Sequence, residues 1–143
     1  MQFKYDTMVV KIVAWFLVNA VLPIMVPVLF LAIVVWFGDG TFPVKRLFFE
    51  LVDSGFYIFS AATLIFSLYE DYSICEKCIK PLMQTVLVLL MIATLFMFYK
   101  IQVETADYVN SHQLQFYIIW MATAVFAGIV KFKILRYKEQ LAL

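Results

Sequence analysis

Apolar residues fill this chain in four long runs, with short polar stretches between them. Residues 12–37 carry no charge. As one straight helix they would measure about 39 Å, longer than a hydrocarbon core of about 30 Å, so the segment must tilt, kink or protrude. Residues 47–68, 81–99 and 114–131 are the other three runs. The pattern predicts an all-α fold, one integral-membrane domain over residues 1–143. Its form is a polytopic bundle of four transmembrane helices, with spans at about 12–37, 47–68, 81–99 and 114–131.

The second run differs from the others because it has acids inside its span. Glu50, Asp53, Ser54, Tyr57, Ser60, Ala61 and Ser67 fall along one helical stripe, while most of the phenylalanines point elsewhere. In lipid such a stripe turns toward other helices, which places residues 47–68 at the centre of the bundle. Between the runs, Gly38–Pro43 reads as a turn, and Pro81 suits the first turn of a helix. Residues 100–115 read as the longest polar link and residues 131–143 as a basic tail.

Charge sets the expected topology. Lys4, Lys11, Lys77, Lys80, Lys131, Lys133, Arg136 and Lys138 fall on one side, against Lys45, Arg46 and Lys100 on the other, so both termini are expected in the cytoplasm. The first apolar run is too long for a cleavable signal and lacks a small-residue cleavage site, so it reads as a signal anchor. The composition is 65% hydrophobic and 15% charged, with mean hydropathy +0.94, against about 45–50% apolar in soluble domains. A net charge of +1 offers no basis for direct nucleic-acid binding.

Few residues could carry chemistry. Glu50 and Asp53, near Lys45 and Arg46, are a candidate ion or charge site; the simpler reading is a helix start with an Arg46–Glu50 pair. Asn19, Pro23 and Pro27 recur every fourth residue, and each proline frees a carbonyl four residues back, making a candidate polar notch. Thr123 with Ala127, and Ala124 with Gly128, are small-residue pairs suited to close helix contact, between subunits or within one. Lys131, Lys133, Arg136 and Lys138 are candidate contacts for a cytosolic partner. Cys75 and Cys78 form a CxxC, half of a zinc site at most. His112 is the sole histidine, in a loop. No hydrolase triad, phosphate-binding glycine loop or zinc-protease motif is present, so the chain is expected to be no enzyme and to use no cofactor.

In layout the chain resembles the small four-helix membrane subunits of bacterial anti-phage loci, of the Kiwa type. The long first span, the helix over residues 47–68 with acids at its start, the short loops and the basic tail carry the resemblance, which covers the whole chain and involves no motif. Bacteriocin immunity proteins share the outline. The resemblance implies a homo-oligomeric sensor in the bacterial inner membrane, surrounded by the lipid bilayer and working with a cytosolic protein partner. The alternatives are an oligomeric ion channel or transporter using Glu50 and Asp53, and a bacteriocin-immunity-type membrane protein.

Overall fold

The computed structural model describes residues 2–39, 44–72 and 79–142. Helix α1 (Gln2–Phe16) runs through a π-helical turn (Leu17–Val21) into α2 (Leu22–Asp39). There follow α3 (Val44–Asp53), α4 (Ile58–Tyr72), α5 (Pro81–Val103), α6 (Ala106–Ser111) and α7 (Gln113–Leu141). Among the described residues every regular element is helical. Among the described residues three helical stretches are long and apolar enough to cross a membrane: Thr7–Gly38, Pro81–Val103 and Gln113–Leu141. The apolar part of α4, Ile58–Tyr69, is shorter.

The π-helical turn follows from the prolines. Pro23 has no N–H to give the carbonyl of Asn19, and in a regular helix its ring would press on that carbonyl. The chain widens one turn upstream, where the amide of Leu22 reaches the carbonyl of Leu17, five residues back. The long first segment thereby stays helical past both prolines.

A single helix over residues 47–68 is corrected by the structure. The chain turns at Ser54–Tyr57, with Gly55 in the left-handed region at φ +74°. The Gly55 amide donates to the carbonyl of Val52 at 2.9 Å, and the Ile58 amide to the carbonyl of Gly55 at 3.1 Å, closing α3 and opening α4. Ile101 at the end of α5 and Val109 of α6 close over the glycine: a Cβ built there would meet the Ile101 Cδ1 at 2.9 Å. Two further boundaries move. The basic tail is the continuation of α7, a helix of 29 residues, and the link at 100–115 is the end of α5, then α6 and the start of α7.

Helix α4 is the centre of the bundle, packed on α7, α5, the π-helical turn and α2. Ile58, Ser60, Ala61, Leu64, Ile65 and Leu68 on it are all buried. One core group joins Leu64 and Leu68 to Ala20, Ala127, Val130 and Ile134; a second gathers Tyr57, Ile58 and Phe116. Phe30, Phe37, Leu89, Phe96, Ile118 and Val125 remain exposed on the outer faces. So much exposed apolar surface suits a lipid surround and not water.

Candidate functional site

Three hydroxyls on α4 form a polar seam at helical spacing: Ser60, Thr63 and Ser67. The Ser60 hydroxyl donates to the carbonyl of Tyr57 at 2.7 Å and accepts the indole N–H of Trp120 from α7 at 2.7 Å. Seven residues on, the Ser67 hydroxyl donates to the carbonyl of Leu64 at 2.8 Å and accepts the indole N–H of Trp15 from α1 at 2.9 Å. Between them the Thr63 hydroxyl reaches the carbonyl of Asn19 and, at 2.8 Å, that of Ser60. Each serine therefore satisfies its own proton within the helix and offers a lone pair to a neighbour. In a medium without water that arrangement holds three helices in register.

The predicted notch at Asn19, Pro23 and Pro27 is occupied at its Asn19 end. The carbonyl released by Pro23 is met by Thr63, and the Asn19 side chain turns back to donate to the Trp15 carbonyl at 2.8 Å. Thr63→Val keeps the shape and strands that carbonyl. The expected loss is about 0.6–1.5 kcal/mol, measured as a lower midpoint of unfolding in detergent. Thr63→Ser should keep the wild-type midpoint.

At the end of the seam lies a charged cluster. Asp71, on the last turn of α4, takes hydrogen bonds from Lys131 and, at 2.7 Å, from Lys138, both on α7. The Asp71 and Lys131 side chains are 17% and 12% exposed, and that of Lys138 is 37% exposed. The Lys131 ammonium also stands 5.5 Å above the Trp15 ring, a favourable cation–π placement. Partial burial opposes ionisation of Asp71, but hydrogen bonds and charge from Lys131 and Lys138 outweigh it and hold the carboxyl below the ordinary carboxylate range. The cluster ties α4 to α7 through Asp71 and reaches the last turn of α1 at Trp15.

Sequence reasoning missed Asp71 as a site residue and took Lys131 and Lys138 as free for a partner. Their seven-residue spacing, two turns on one face, was the available signal. Of the four basic residues, Lys133 touches the Met83 sulfur at 3.5 Å, and both Lys133 and Arg136 are exposed.

The other candidates separate. Arg46 and Glu50 pair within α3 at 2.9 Å with both side chains largely exposed; such pairs contribute little. Asp53 is exposed, and its carbonyl accepts from the Gln113 side chain at 3.0 Å. Both acids therefore lie on α3, a separate helix from the buried α4; the side chain of Lys45 lies outside the described residues. Thr123, Ala124 and Ala127 are buried within the chain, Ala124 and Ala127 in the core group around Leu64, whereas a Cβ on Gly128 would meet nothing within 4 Å. His112 stacks on Tyr108 at 4.1 Å, and its Nδ1 lies 2.8 Å from the Tyr108 carbonyl. Among the described residues no three His, Cys, Asp or Glu side chains are placed to hold a metal. Cys75 and Cys78 lie outside the described residues.

No protein-family model, curated protein or solved structure matches the chain. Its function has to be argued from these contacts.

Proposed function

We propose that the chain is a non-enzymatic integral membrane subunit that self-associates and couples an event in the bilayer to a cytosolic protein partner. The observation that carries this reading is α7. It runs without a break from an apolar stretch into a charged end, and Asp71 pins it to the central helix at the point of exit. A change in the lipid-facing part of such a helix reaches its polar end directly.

In this reading the chain crosses the membrane four times: α1 with α2, α4, α5 and α7. The apolar part of α4, Ile58–Tyr69, rises about 18 Å, and the Ser54–Tyr57 turn carries the chain on to the outer interface. Helix α3 carries Arg46, Glu50 and Asp53 beside Phe49 and lies along the outer interface. The ends of α1 and α7 face the cytoplasm of a bacterial cell, in accord with the clustering of Lys and Arg there. The layout resembles membrane subunits of anti-phage loci, and a role in such defence is part of the proposal.

The test is purification from the native membrane in mild detergent, with the particle mass and co-purifying chains determined. The expected particle is a homo-oligomer carrying a cytosolic protein. Lys133→Glu with Arg136→Glu should release that protein and leave the oligomer intact. A bare particle that passes ions into liposomes, with flux abolished by Glu50→Gln plus Asp53→Asn, would overturn the reading in favour of a channel.

A further inference from the structure

The outer face between α4 and α5 contains a groove of about 220 Å³, walled by Ile65, Leu68, Tyr69, Leu87, Val88 and Met91. Ile65 and Leu68 are its buried floor, at 6% and 2% exposed, and Tyr69 and Val88 stand at the rim, at 74% and 51%. Gln84 also lines it, but its amide is turned onto the carbonyl of Ile79 at 3.3 Å. Apolar walls of this kind give a water-soluble ligand nothing to hold.

From Gln84 to Met91 the groove follows α5 for about 10 Å. Lys80, Gln84 and Val88 are successive positions four apart, so the stripe that lines the groove ends in an exposed lysine. Lys80 makes no ion pair among the described residues, and neither does Lys133, which lies against Met83 on the other side of the same turn. The neighbouring outer surface, Phe66, Leu89 and Leu95, is apolar and exposed. An apolar slot that opens sideways onto such a surface, with cations at its polar end that make no ion pair among the described residues, matches a molecule with a hydrocarbon chain and an anionic head.

We propose that the groove holds one acyl chain of an anionic phospholipid, with Lys80 meeting its phosphate. The proposal rests on the membrane reading given above. A lysine at the interface favours an anionic headgroup by roughly fivefold, so that is the selectivity expected.

The experiment is native mass spectrometry of the whole chain in mild detergent, titrated with phosphatidylglycerol or phosphatidylcholine of identical acyl chains. The wild type should retain phosphatidylglycerol about fivefold more than phosphatidylcholine. Lys80→Glu should remove the preference, Val88→Trp should prevent retention of either lipid, and millimolar inorganic phosphate should not compete. Val88 is half exposed, so the tryptophan variant should keep the wild-type unfolding midpoint; Val88→Phe replaces it if it does not. Equal retention of both lipids, full retention in the groove variant, or displacement by phosphate would overturn the proposal. So would a wild-type dimer that retains no lipid and becomes monomeric on Val88→Trp, since a second copy would then cover the groove. Release of the chain from native membranes by alkaline carbonate overturns the membrane reading instead, and is scored separately.

Discussion

Asp71→Ala is expected to cost roughly 2–4 kcal/mol of stability, because it leaves two ammonium groups facing each other with no counter-charge among the described residues. Lys131 is 12% exposed and has little access to water for compensation, whereas Lys138 is 37% exposed and regains some, which holds the cost below that of a fully buried pair. Lys138→Met should cost much less, since Asp71 keeps Lys131. Denaturant or detergent-titration midpoints for the two variants give the comparison, and equal losses would mean that the cluster is not organised around Asp71. The folded chain lowers the pKa of this carboxyl, so its contribution is fully present above the ordinary aspartate pKa of about 3.9. It is lost as pH falls below that value toward the folded one. Stability of the wild type should therefore drop more steeply below about pH 4 than that of Asp71→Asn.

Gly55→Val should be comparably damaging, for a reason of shape. At φ +74° an L-residue pays about 1–2 kcal/mol, more when β-branched. The added carbons also enter space held by Ile101 and Val109, at 2.9 and 3.2 Å from the first of them. Crowding of this kind adds about 1–3 kcal/mol, so a total of about 2–5 kcal/mol is expected. Gly55→Ala should lose less, because the tip of Ile101 can shift. Combining it with Ile101→Ala should relieve the contact and leave the backbone penalty. A wild-type unfolding midpoint for Gly55→Val would show that the break between α3 and α4 does not depend on a left-handed residue.

The helical class, the three long apolar stretches and the central place of the second run were legible from periodicity and length, since lipid forces backbone groups to pair within a helix. The Arg46–Glu50 pair was legible because four-residue spacing alone produces it. The break at Gly55 was not, because glycine is tolerated inside membrane helices and only the closure of Ile101 and Val109 shows that the chain turns there. The link between Asp71 and its lysines spans 60 and 67 residues of sequence, beyond any local pattern. The proline notch was half legible: the freed carbonyl of Asn19 followed from Pro23, but its partner Thr63 lies 44 residues away.

The single rod of α7 makes the molecule a lever. Its 29 residues measure about 44 Å, so a change in tilt of about 10° about its midpoint swings each end by about 4 Å, with the rise per residue unchanged. Because Asp71 couples it to α4, that swing carries the middle of the bundle along. Thinning or stretching of the surrounding bilayer, which resets helix tilt, would thus appear at the polar tip as a sideways stroke of about three-quarters of the height of one helical turn.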